Sequence, residues 1–360
     1  MSWNGKSDVS DVADDIGAMV VSTATGVFQP LSPITNAALR ESAEHGEFDA
    51  AGWKALQEAG FPQALLPEER GGIGTDHAFA IARLAGAMAI PLPIVETMGA
   101  NWLLAHAGLE PTDQPLGFSD AAVTVRRTDG GWRVSGQATA VPWARSCGIL
   151  LAGSDGDDSY IVRLEPGSFD SEPGRNKAGE PRDSCTIDLI VAANRVGRPD
   201  NGTAPDMIRA IGALLRSAQI AGAISAAVTM TVDYVRDRRQ FGKPLAAFQA
   251  VQQLLAVIAT QAAAAGVAVD LGVLGLDTAP DMRKVAIAKS RTSEAAGLVA
   301  ATAHQLHGAM GFTREYPLHL LSRRLWSWRD EFSSESEWAI ALGRDLAPSG
   351  RALWSEITRI

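Results

Sequence analysis

Apolar residues recur at helical spacing along most of the chain and alternate only between about residues 115 and 200. Ile220, Ile224, Val228, Thr231 and Val235 share one helix face, and Phe248, Val251, Leu255 and Ile258 share another. Between them, Arg238-Arg239-Gln240-Phe241-Gly242-Lys243-Pro244-Leu245 gathers cations at a turn. Gly242 reads as a helix stop and Pro244 as a first-turn residue of the next helix, with the cations near the negative end of the first. Capping-box spacing at Thr203/Asp206 and at Thr278/Asp281 sets helix starts near 204 and 279. Helices near 205–237, 245–275, 280–306 and 317–345 then make an antiparallel four-helix bundle.

The N-terminal stretch is also helical in pattern. Asp49 caps a short helix carrying Trp53, Leu56 and Ala59 that stops at Gly60, and Thr75 caps another with Ala78, Ile81, Leu84 and Met88 on one face. The glycine-rich connection Leu65–Gly74 lacks the spacing of a phosphate loop and reads as a turn. From Pro115 the period changes. Ala122–Val125 and Trp132–Val134 form a hairpin across Asp129-Gly130-Gly131; Ile149–Leu151 and Tyr160–Val162 flank a polar turn; Thr186–Val191 is a further strand. A long polar connection spans Glu172–Arg182. The chain is thus mainly α with a central β-domain: an N-terminal α-helical domain (1–113), a small antiparallel β-barrel or sandwich (114–202) and a C-terminal four-helix bundle (203–360).

Composition narrows the function. The 360 residues carry a net charge of -9, which argues against a nucleic-acid partner because phosphate binding needs a basic footprint. No run approaches 18 uninterrupted apolar residues, so no membrane span is expected. Asp8, Asp11, Asp14 and Asp15 replace the basic-then-apolar pattern of a signal peptide. Two cysteines, Cys147 and Cys185, fit a reducing cytoplasm and make neither a disulfide framework nor a thiolate metal site.

Several chemistries lack their residues. There are no Glu-x-x-His pairs for a di-metal bundle, no GxSxG elbow and no GxGxxG. His304 and His307 fall on one face of a helix end, a pair that reads as structural rather than metal-ligating. In His304–Thr313, Gly308, Ala309 and Gly311 leave backbone amides uncovered, where a pyrophosphate could approach; a glycine C-cap accounts for the same residues.

Three motifs in order carry a resemblance over roughly 300 residues: Leu66-Pro67-Glu68-Glu69-Arg70-Gly71-Gly72, Arg238–Pro244, and Gln305–Thr313 followed by Tyr316-Pro317. Together with the domain order, they make the chain resemble the acyl-CoA dehydrogenases. The resemblance implies FAD held between subunits of a homotetramer or an α2β2 heterotetramer with a second acyl-CoA dehydrogenase-like chain. It places Arg238, Phe241 and Gln249 against an FAD held mainly by the neighbouring subunit, and Gln305 with the Gly308–Ala309 backbone against its diphosphate and adenine half. The implied reaction is α,β-dehydrogenation of an acyl-CoA thioester in lipid, steroid or other acyl-CoA catabolism. A carboxylate removes the α-proton, hydride passes to flavin N5, and an electron-transfer flavoprotein or similar acceptor takes the electrons.

In many members the base lies in a Tyr-Glu-Gly-Thr segment. The matching region here is Trp326–Glu335, and Glu331 lands on the base position, with Trp328 and Phe332 as apolar surroundings and Asp330 and Glu335 as competitors. A base of this kind works best with a raised pKa in a dry pocket. Solvent exposure or a pair with Arg329 is the alternative account of Glu331. Other members carry the base on the first bundle helix, where this chain has Gly212. The family's flavin-holding Thr-Glu-Pro-x-x-Gly-Ser-Asp is reduced to Pro115–Asp120, and a second flavin-facing segment reads Ala140–Arg145. Three readings follow: an FAD-dependent acyl-CoA dehydrogenase, a non-catalytic partner subunit that completes another chain's FAD site, and a flavin-dependent monooxygenase on the same fold.

Overall fold

The computed structural model of the chain describes residues 7–276, 279–347 and 354–355. It opens with α1 (Ser7–Phe28), α2 (Arg40–His45), α3 (Ala50–Glu58), α4 (Thr75–Ala87) and α5 (Ile94–His106). Asp49 starts α3 as expected, its carboxylate accepting from the N–H groups of Ala51 and Gly52. Thr75 is not the cap of α4. It is already helical, and Gly74 at φ +85° takes the cap position without a side-chain bond.

The sheet comprises β1 (Leu116–Thr128), β2 (Gly131–Pro142), β3 (Gly148–Asp155), β4 (Asp158–Leu164), β5 (Asp170–Glu172), β6 (Arg182–Val191) and β7 (Val196–Gly197), in the spatial order β5-β6-β2-β1-β3-β4-β7. The expected hairpin is present, with Thr128 opposite Gly131. The sheet is antiparallel-rich but not wholly antiparallel, because β1 and β3 run parallel from Leu116 opposite Gly148. The Trp143–Cys147 turn returns the chain to the start of β1, and Gly148 N–H donates to the Pro115 carbonyl at 3.2 Å. Ile149 and Leu151 on β3 enter the sheet's own core, while Leu150 and Ala152 enter the helical core. A strand buried on both faces is continuously apolar, which is the pattern of this segment.

The chain then forms α6 (Ala204–Asp237), a small hairpin of β8 (Arg239–Gln240) and β9 (Lys243–Pro244), α7 (Gln249–Val273), α8 (Met282–His307), α9 (Leu318–Trp328) and α10 (Glu335–Leu346). Thr203 caps α6 as expected, accepting from Asp206 N–H. A Cβ on Gly222 of α6 would lie 1.8 Å from the Arg83 carbonyl oxygen, so α4 and α6 cross backbone to backbone. The N-terminal helices and the bundle consequently share one core, including Ile81, Leu103, Ile211, Leu214 and Ile224.

Three local expectations are corrected. First, α8 begins at Met282, with Asp281 itself accepting from the N–H groups of Arg283 and Lys284; Thr278 lies outside the described residues. Second, α6 ends before Gly242, which sits at φ +80° beside Phe241 at φ +51° in the β8–β9 turn, and Pro244 precedes a 3-10 turn rather than α7. Third, the helix expected over 317–345 is broken at 329–334. Lys289 Nζ donates to the Trp328 and Arg329 carbonyls at 2.8 Å each, and a Ser334–Glu337 capping box starts α10.

Among the described residues, two helices, α6 and α7, are long and apolar enough to cross a membrane by length and composition. Most of that apolar stretch of α6 is buried inside the fold, whereas little of that of α7 is fully buried, with Val257 and Val267 facing out.

Candidate functional site

The break between α9 and α10 carries Glu331 into the place where the sheet, α5 and α6 meet. Its carboxylate is held from several sides. Oε1 accepts from Arg182 Nε at 2.9 Å and Asn176 Nδ2 at 3.1 Å; Oε2 accepts from Arg182 Nη2 at 2.9 Å and Arg216 Nε at 2.7 Å. Arg216 also binds Glu96 Oε1 at 2.7 Å, and it reaches Gln219. Glu180 accepts from Asn176, Arg182 and the Trp328 indole and lies 3.1 Å from Arg324 Nε. Asn176 and Glu180 come from the long polar connection before β6, so that segment reaches into the site.

The environment expected of a base is therefore absent. Burial alone pushes the Glu331 carboxyl up, but Arg182 and Arg216, helped by hydrogen bonds from Arg182 and Asn176, outweigh it and hold it at about 2. Burial lowers Arg182 and Arg216, but the surrounding carboxylates, Glu331 foremost, raise both overall. Glu331 neither faces open solvent nor pairs with Arg329, which instead lies 3.4 Å from Asp330. Of the competitors, Asp330 and Glu335 are both exposed.

The apolar neighbours are also arranged differently from expectation. Phe332 stands where the resembled motif has glycine, at φ +53°, with Ser333 at φ +72°. Its ring packs 5.2 Å from that of Phe118 and fills the space over Gly212, where a Cβ would come within 2.4 Å of it. The remaining cavity, about 210 Å³, is bounded by Ser119, Asp120, Thr139, Ala140, Arg182 and Glu331 among others. Small-molecule pockets usually run from about 300 Å³ upward. Arg145, in the second flavin-facing segment, is turned onto Asp183 and the Gly174 carbonyl. The junction thus does not fit a flavin ring. A cavity of about 520 Å³ lies against the Leu65–Glu69 turn and α5 and contains none of the expected site residues.

The other expected residues gather at one end of the bundle. Tyr234, one turn before Arg238, donates to the His307 carbonyl at 3.2 Å and stacks on its ring at 4.3 Å, which ties the hairpin to the end of α8. Arg238, Phe241, Gln249, Gln305, Gly308 and Ala309 are all exposed there, Phe241 at 88%. Among the described residues, the Arg238 and Arg239 side chains have no hydrogen-bond or ion-pair partner. Gly308 at φ +59° has open space where a Cβ would stand. His304 and His307 are buried and structural: His304 Nε2 lies 2.8 Å from Ser322 Oγ, and His307 Nδ1 donates to the Ala303 carbonyl. Uncompensated cations, exposed side-chain amides and uncovered backbone have the chemistry to meet a diphosphate.

Arg182, Arg216, Asn176, Glu180 and Glu96 were not picked out from sequence. One sign was present: Arg216 is the only charge between Arg209 and Asp233, and a cation in so apolar a helix must find a buried partner.

A helical N-terminal part, a central antiparallel-rich sheet and C-terminal bundle helices are the architecture of the acyl-CoA dehydrogenase fold. Residues 210–327 match the family model described as acyl-CoA dehydrogenase, C-terminal domain. Over 284 residues the chain is 28% identical to acyl-CoA dehydrogenase IpdE2 of Mycobacterium tuberculosis, which covers 77% of this chain and 80% of that protein. Over 334 residues it is 26% identical to the caffeyl-CoA reductase-Etf complex subunit CarC of Acetobacterium woodii, covering 81% and 88%. A chain of the ChsE4-ChsE5 complex from Mycobacterium tuberculosis superposes with a TM-score of 0.83 at 21% identity, over 94% of this chain and 98% of that one. Residues 210–327 thus match the acyl-CoA dehydrogenase C-terminal domain, and most of the chain is similar to acyl-CoA dehydrogenases.

Proposed function

We propose that this chain is a non-catalytic subunit of an acyl-CoA dehydrogenase assembly and completes an FAD site whose flavin ring and base belong to a partner chain. The observation that carries the reading is the Arg182–Glu331–Arg216 clamp, which keeps the only aligned carboxylate ionised and fully occupied. A self-sufficient dehydrogenase would need Glu331 free to take a proton from the α-carbon, with a pKa closer to neutrality.

At the bundle end, Arg238 and Arg239 neutralise diphosphate charge, Gln249 and Gln305 supply amide hydrogen bonds, and Phe241 covers apolar surface. When bound, FAD supplies the hydride acceptor for dehydrogenation of the acyl-CoA thioester. The exposed apolar flank of α7 suits a partner chain, and the two-chain ChsE4-ChsE5 complex supports such an assembly. The Etf complex named for CarC supports an electron-transfer flavoprotein as redox partner.

The test is to purify the chain alone and together with a longer acyl-CoA dehydrogenase chain. Alone, it is expected to be colourless and inactive. The pair is expected to be yellow, to bleach with an acyl-CoA and to keep its turnover per flavin when this chain carries Glu331→Gln. Stoichiometric flavin in the lone chain, bleached by acyl-CoA and silenced by the same substitution, would overturn the proposal.

A further inference from the structure

We infer that Phe332 is a plug, the single side chain that denies this chain's junction to a planar heteroaromatic ring such as isoalloxazine. This rests on the partner-subunit reading and deepens it by naming the residue that closes the site.

Three observations point to the same side chain. An aromatic residue at φ +53° occupies a backbone conformation that favours glycine, so the loop keeps a shape its present residue does not suit. Gly212 offers a bare helix surface to the ring, where any Cβ would come within 2.4 Å of it, so the two positions are matched as knob and hole. The ring is held from its other sides by Phe118 at 5.2 Å and by the Arg216 guanidinium at 5.9 Å, and the Trp338 indole donates to the Phe332 carbonyl at 2.9 Å. What is left open beside it is about 210 Å³.

The consequence is steric rather than electrostatic. The walls of the cavity still present Ser119 and Thr139 hydroxyls and the backbone of β2, where Ala140 also sits at φ +55°. Removing the benzyl group joins its volume to that cavity; Arg216 loses a ring contact, while the hydrogen-bond partners of the Arg182–Glu331–Arg216 clamp all remain.

The experiment uses the full isolated chain and three substitutions of decreasing size, Phe332→Leu, Phe332→Ala and Phe332→Gly. FAD and riboflavin are the probes, binding is read by equilibrium dialysis, and folding is checked by circular dichroism and size exclusion. Glycine suits the left-handed φ, and leucine is a modest change in apolar volume, so folded variants are expected at both ends of the series. Flavin affinity should rise in the order Phe, Leu, Ala, Gly, by about tenfold or more overall. Folded variants that bind no more tightly than the wild type would overturn the plug while leaving the partner-subunit reading intact. Stoichiometric flavin on the wild type alone would sink that reading and the plug with it.

Discussion

Glu331 accepts from three side chains on two different parts of the fold, and two of those are guanidiniums. Glu331→Gln keeps the shape but leaves buried cations short of one negative charge. Breaking a buried pair from one side costs about 3–5 kcal/mol, and a side chain that is 18% exposed belongs near the lower figure, about 3 kcal/mol. Urea unfolding of the isolated chain measures this directly; a loss near zero would mean that the clamp is not stabilising. The pH dependence has a definite sign. The folded carboxyl sits at about 2, below its unfolded value of about 4.3. Its contribution is therefore complete above about pH 4.3 and is lost as the pH falls towards 2. Melting temperature against pH should show a shallower acid limb in Glu331→Gln than in the wild type. Identical limbs would show that other carboxylates, Glu180 among them, account for acid unfolding.

At the scale of elements, the decisive feature is the interruption between α9 and α10. Periodicity read the region as one helix because apolar residues continue at helical spacing on both sides of the break: Leu321, Leu325 and Trp328 before it, Trp338 after it. The break is made by Lys289, which takes two carbonyls from a helix 39 and 40 residues away, a tertiary contact that no local pattern encodes. The restart was legible, since Ser334 and Glu337 have capping-box spacing. Ser334→Ala should cost about 1 kcal/mol in urea unfolding. The hairpin between α6 and α7 was misread for a related reason. Gly242 has the residue type of a helix stop but forms a tight turn with Phe241. The cations were visible, but their lack of partners was not. Because the Arg238 and Arg239 side chains have no partner among the described residues, replacing both with Ala should leave the melting temperature of the lone chain within a degree or so. In the two-chain assembly it should weaken FAD binding about tenfold or more, the usual worth of charge-assisted hydrogen bonds. Equal FAD affinity of the wild-type and doubly substituted assemblies would remove the hairpin from the site.

The whole molecule is joined at one point by charge. Glu96 on α5, Arg216 on α6, Glu331 after α9 and Arg182 on β6 form a continuous chain of ion pairs across the N-terminal helices, the bundle and the sheet. β3 adds an apolar tie, since its two faces belong to two cores. Nothing in this arrangement calls for a bound ring to hold the parts together, and the plugged junction leaves little room for one. The lone chain should therefore melt in a single transition whose midpoint does not move when FAD is added. The two-chain assembly should behave differently, because a ligand that binds only the folded form stabilises it by RT ln(1 + [L]/Kd), about 2.7 kcal/mol at a hundredfold excess over Kd. Differential scanning calorimetry of each species, with and without FAD, separates the cases. A shift in the assembly alone places the cofactor in a site built from two chains. An FAD-dependent shift of similar size in the lone chain would place a complete site within it, against both the clamp and the plug.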